Sequence, residues 1–202
     1  MINNKFVSKA RSISFNSKND KFKRKNIKLP YVWFFTDEKK TKLPMKIIEK
    51  LPKNSGVVIR NYSNTKKINV KALKYYRYRR MLKILIAGKF SAPNDFDGIH
   101  YPRWLQPYYI KKNYIKSVSV HSGKDVRKCI NLKANLVFIA PVFKTTSHKE
   151  QNYLGVIKLG LLVKLFKVPV IALGGINETN VSRLNNLPIS GCAGIDVFIN
   201  KL

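Results

Sequence analysis

From residue 31 onward, short apolar runs alternate with amphipathic or polar stretches. The runs are Tyr31–Thr36, Gly56–Arg60, Ile84–Ala87, Gly98–Tyr101, Ser117–Val120, Leu136–Ala140, Val170–Leu173 and Gly194–Ile199. Each is rich in Val, Ile or aromatic residues, the pattern of strands covered on both faces. Helix spacing fills the intervals. It predicts helices over Leu43–Leu51, Ile68–Leu82, Lys124–Leu132, Tyr153–Phe166 and Glu178–Leu187. In the fourth of these, apolar residues fall at 153, 154, 157, 161, 162, 165 and 166, one stripe of a 3.6-residue repeat. It stops at Val168-Pro169, because a residue before proline disfavours helix. Asn177 is placed to cap the start of the last.

Regular strand–helix alternation calls for a parallel sheet with right-handed crossovers. Eight strands favour closure, so the expected fold is α/β, a (β/α)8 TIM-type barrel over residues 29–202. The barrel reads as reduced. The stretch between Ala87 and Gly98 holds barely a turn and contains Pro93, so the third helix is weak. Little sequence follows Ile199, so the closing helix is read as absent. That would leave the outer face at the eighth strand bare. Residues 1–28 or a second subunit, in a homodimer, are the expected covers.

Charge changes the picture at the N-terminus. Residues 1–28 carry nine bases against one acid, Asp20, and read as a flexible basic arm. Its Ser-rich, acid-poor composition also fits an organelle transit segment, although Lys outnumbers Arg. The whole chain has 202 residues and a formal charge of +30, which excludes an electrically bland surface. Only nine of its 40 bases are Arg, the residue favoured for bidentate phosphate and base recognition. Solubility and compositional drift, a nucleic-acid surface, and an anionic ligand or membrane surface all remain open on charge alone. Cys129 and Cys192 match no metal spacing and suggest a reduced compartment, hence the cytoplasm. No apolar run approaches the roughly 20 residues of a membrane span.

Candidate chemistry gathers at the ends of the later strands. In Val170–Asn177, an apolar strand runs into Gly174-Gly175 and a helix start, an arrangement that exposes N–H groups to an anion. After the sixth strand, Thr145, Thr146 and Ser147 offer hydroxyls, while His148 and Lys149 offer donors. Alternation puts Ser117, Ser119 and His121 on one face of the fifth strand. No acid is placed by sequence to orient His121 as a triad would require. Arg60 closes the second strand, at the catalytic rim of such a barrel. Lys74–Lys83 interleaves Tyr75, Tyr76 and Tyr78 with Arg77, Arg79 and Arg80. It suits either a nucleic-acid surface or the outer face of a barrel helix.

In this order, the segments DGIH (97–100), SVSVHS (117–122), APVFKTT (140–146), VPVIALGGIN (168–177) and CAGIDVFI (192–199) resemble the thiamine phosphate synthase and TenI superfamily. YVWFFTD (31–37) extends the resemblance more weakly. The resemblance implies a barrel that joins a thiazole phosphate to a pyrimidine methyl diphosphate with Mg²⁺. It also implies roles by motif position. Arg60 and Ser119 would contact the diphosphate substrate. Thr145, Thr146 and Ser147, with Gly174, Gly175 and the strand-8 backbone at Phe198 and Ile199, would hold the thiazole phosphate. His148 and Lys149 stand near the family's loop lysine. The departures are equally specific. Ile86–Lys89 and Tyr101–Trp104 lack the carboxylates that carry the family's metal, so no metal ligand is assigned. A TenI-type tautomerase needs only a proton shuttle, for which His121 or His148 would serve. A non-catalytic phosphate-ligand binder and a basic nucleic-acid-contacting barrel are the remaining readings.

Overall fold

The computed structural model describes residues 4–16, 29–41, 44–60, 62, 69–88, 95–106, 114–145 and 152–199. Eight parallel strands close into a barrel in chain order. They are β1 (Val32–Phe35), β2 (Gly56–Arg60), β3 (Lys83–Ala87), β4 (Gly98–Tyr101), β5 (Ile115–Val120), β6 (Leu136–Ile139), β7 (Val170–Leu173) and β8 (Gly191–Gly194). Closure runs through β1 and β8, with Trp33 opposite Ala193 and Phe34 opposite Gly194.

Alternation sorts the side chains into two layers. Trp33, Phe35, Val58, Leu85, Ile115, Leu136, Phe138, Ile171 and Ala193 fill the interior. Val57, Ile84, Ile99, Val118, Val137 and Val170 face outward, toward the helices. Trp33 is fully buried and meets Phe138 edge to face at 5.3 Å between centroids. Its ring occupies the space beside Gly56, where an added Cβ would lie 2.1 Å from the indole.

The helices are α1 (Asn4–Asn16), α2 (Pro44–Lys50), α3 (Val70–Arg80), α4 (Val126–Asn131), α5 (Gly155–Val163) and α6 (Asp196–Ile199). Asn69 caps α3 through a side-chain oxygen that accepts the Ala72 N–H at 3.0 Å. Three sequence expectations need correction. The apolar run Gly194–Ile199 is not a strand: β8 is the small-residue segment before it, and Asp196–Ile199 forms the single helical turn α6. A helix over Glu178–Leu187 shrinks to a 3-10 turn at Val181–Leu184. The basic N-terminal segment is not simply a loose arm. Residues 4–16 are helical, and Phe6, Ala10 and Ile13 are completely buried at i, i+4 and i+7. α1 packs against β1, β8 and the Val181–Leu184 turn, with Phe6 edge to face on Phe198 at 5.6 Å. It therefore covers the face by β8 that the sequence left bare. Residues 17–28 lie outside the described residues, as does most of the stretch expected to hold a weak third helix.

Candidate functional site at the carboxyl-terminal mouth

Strand ends determine what lies at the mouth of a parallel barrel, because each interior position recurs every second residue. The C-terminal ends of the strands enclose a cavity of about 730 Å³. Its lining includes Arg60 from β2, His100 from β4, Ser119 from β5 with His121 just beyond it, Thr145 after β6, and Gly174 after β7.

The β6 and β7 loops touch. Gly174 and Gly175 have φ of +96° and +67°, a region that side chains strain to adopt. A Cβ on Gly175 would lie 2.3 Å from the Lys144 carbonyl, and one on Gly174 would lie 2.8 Å from Pro141 Cα. The contact is sealed by the Val142 N–H donating to the Leu173 carbonyl at 2.9 Å and the Phe143 N–H donating to the Gly174 carbonyl at 3.0 Å. Asn180 Nδ2 donates to the Gly175 carbonyl at 2.8 Å and holds the turn from behind. Asn177 accepts from the N–H groups of Thr179 and Asn180, forming a local side-chain turn rather than the cap of a long helix. Thr146, Ser147, His148 and Lys149 lie outside the described residues.

Arg60 is held rather than free. Its Nη2 is 2.7 Å from Asp37 Oδ2, and its Nε donates to the Thr36 carbonyl. Burial pushes the Asp37 carboxyl up. The N–H groups of Lys40 and Lys39 and the charges of Arg60 and Lys40 outweigh that, leaving its pKa below the ordinary value. On the other side of β1, Lys40 pairs with Asp196 at 3.0 Å, tying the β1 loop to α6 beside it. Tyr62 and Trp104, from the β2 and β4 loops, stack edge to face at 5.3 Å, with Trp104 61% exposed at the rim.

His100 was not a sequence candidate. It is buried, with Nδ1 2.9 Å from Ser117 Oγ and Nε2 2.9 Å from Ser119 Oγ. Phe35 and Phe138 flank it edge to face at 5.3 and 5.4 Å. Burial, reinforced by the charges of Arg60 and Lys128, pushes its pKa down to about 3, so the imidazole is neutral at pH 7. A neutral ring between two hydroxyls has one donor and one acceptor nitrogen, so it orients the Ser119 hydroxyl at the cavity wall. Its signal was strand parity: His100 pairs with Ser117 across β4 and β5, on the interior face. His121 is anchored differently. Its backbone N–H donates to Asp125 Oδ2 at 2.8 Å, so an acid is present but is bound to the main chain.

Phe198 and Ile199 do not supply donors from a strand. Both lie in α6; the Phe198 N–H donates to the Ile195 carbonyl at 3.1 Å, and its ring packs outward on Phe6 and Phe34. The family's Mg²⁺ finds no matching cage. Among the described residues, no group of three or more His, Cys, Asp or Glu is placed to hold a metal. Asp37, one of the mouth's acids, is already tied to Arg60. The described residues do not fit a divalent ion. Cys129 and Cys192 are buried thiols, each raised to about 12, chiefly by burial.

Solved structures share the fold. A thiamine phosphate pyrophosphorylase from Pyrococcus furiosus superposes with a TM-score of 0.66 at 19% identity, covering 82% of this chain and 85% of that one. One from Bacteroides thetaiotaomicron gives 0.54 at 19% identity, covering 86% of each. In sequence, the thiamine-phosphate synthase of Clostridium tetani is 27% identical over 150 residues, 66% of this chain and 71% of that protein. That of Prochlorococcus marinus subsp. pastoris is 34% identical over 87 residues, 43% of this chain but only 25% of its own length. The family model described as thiamine monophosphate synthase matches residues 106–198. Over residues 106–198 the chain is similar to the thiamine monophosphate synthase family. That match spans β5 to α6, the part of the barrel that carries the abutting loops.

Proposed function

We propose that this barrel is a divergent TenI-superfamily member acting in thiamine biosynthesis, binding a thiazole phosphate at its mouth and joining it to a pyrimidine methyl diphosphate. The observation that carries the reading is the abutment of Gly174 and Gly175 on the β6 loop beside Thr145, at the end of the barrel where such enzymes work. In this reading the phosphate sits on the cavity side of the junction of Gly174 and Thr145, and Thr146, Ser147, His148 and Lys149, next in sequence, are its further candidate ligands. The thiazole ring rests on Phe35, Leu173 and Ile195. The thiazole nitrogen forms a bond to the pyrimidine methylene carbon as that carbon's C–O bond breaks. The electron pair leaves with the diphosphate, and Arg60 stabilises the departing charge. Ser119 holds the pyrimidine substrate, positioned by His100 behind it.

A second reading, a binder of the same phosphate without turnover, is favoured by one observation: Asp37 already neutralises much of Arg60. Calorimetry with thiazole phosphate and a pyrophosphate-release assay separate the two, the latter run with both substrates, in Mg²⁺ and in EDTA. The synthase reading expects binding that Gly175→Asp abolishes, and release only when both substrates are present. Binding without release assigns the binder. An intact protein that does not bind thiazole phosphate overturns both.

A further inference from the structure

The opposite end of the barrel carries a second concavity, unrelated to the mouth. It has a volume of about 1110 Å³ and lies at the N-terminal rim, between the C-terminal halves of α1 and α3. That exceeds the range of about 300–1,000 Å³ usual for a drug-sized ligand. Five cations line it: Arg11, Lys53, Lys74, Arg77 and Lys83. Asp97 lines it too and pairs with Arg77 at 2.9 Å and Lys83 at 3.3 Å, while Lys74 pairs with Asp95. Two acids against five cations leave the groove cationic.

Aromatic rings stand among these charges. Tyr78 is 90% exposed and Phe15 75%, and both line the groove. The Arg11 guanidinium sits 5.7 Å from the Phe15 centroid. Leaving a ring of this size in water forgoes its burial, and nothing in the chemistry of the mouth uses this end. Two exposed rings set among cations in one concavity suit the bases and phosphates of a single strand. A flat membrane surface would ask instead for a continuous apolar face.

We infer that this N-terminal groove binds single-stranded nucleic acid, with Tyr78 and Phe15 stacking bases and Arg11, Lys53 and Arg77 meeting phosphates. The inference is independent of the proposal for the mouth. The test uses the full chain, a short labelled oligouridylate read by fluorescence anisotropy over a salt series, and heparin and phosphatidylglycerol vesicles as rival partners. Oligouridylate binding should weaken with salt by about −0.7 in log–log slope for each cation engaged. Tyr78→Ala should weaken binding at least about fivefold while leaving that slope unchanged. The Arg11→Gln/Lys53→Gln double variant should flatten the slope by about 1.4. Melting temperature and thiazole phosphate binding should stay at the wild-type level in these surface variants, so that loss of oligonucleotide binding is not loss of fold. Wild-type affinity in both variants overturns the inference. So does binding to heparin or vesicles that depends on the same side chains while oligouridylate does not bind.

Discussion

At the scale of single residues, the mouth depends on atoms that are missing as much as on those present. Gly175 has no room for a Cβ, since Lys144 and Phe143 carbonyls lie within 2.6 Å of where it would be. Gly175→Ala should destabilise the fold by about 1–3 kcal/mol through forced left-handed backbone and displaced loops. It should also reduce thiazole phosphate affinity, both readable by thermal melts and calorimetry. His100 gives a pH signature. Its folded pKa of about 3 lies below the ordinary 6.5, so the unfolded chain binds the extra proton between those values. Stability is then full above pH 6.5 and falls as pH drops toward 3, at up to roughly 1.4 kcal/mol per unit. Urea midpoints from pH 7 to pH 4 should fall more steeply for wild type than for His100→Gln; equal slopes would refute the assignment. That Ser119, His121, Arg60 and Gly174 lie at the mouth was legible, the first two from strand parity and the others because each ends or directly follows an apolar strand run. His100 was not, because a lone histidine in GIHY carries no local sign that two serines of the next strand meet its ring.

At the scale of elements, eight apolar runs located seven strands well. The eighth misled because a short apolar run does not distinguish strand from buried helix. GIDVFI is apolar since Val197 and Phe198 seat α6 against the barrel, whereas β8 itself is Gly-Cys-Ala-Gly. Those residues are small for a steric reason: a Cβ on Gly191 would lie 2.1 Å from the Tyr31 carbonyl. α1 was hidden by its charge. Nine bases over residues 1–28 mask the Phe6, Ala10, Ile13 stripe. Because Phe6 is fully buried against Phe198, Phe6→Ala should cost about 3–5 kcal/mol, lowering the melting temperature. Unchanged stability in that variant, or after removal of residues 1–16, would mean that α1 contributes little to the barrel.

At the scale of the whole molecule, one closed sheet presents two chemically distinct ends. The mouth combines a held arginine, paired hydroxyls and glycine turns; the other rim combines lysines, arginines and open rings. Strand–helix alternation was enough to foresee the cylinder, but charge summed over the chain could not say at which end the cations gather. The indole of Trp33, wedged beside Gly56 and against Phe138, blocks the lumen between the two ends. The upper chamber is consequently floored by an indole, and whatever occupies the far rim is separated from it by a packed layer of side chains.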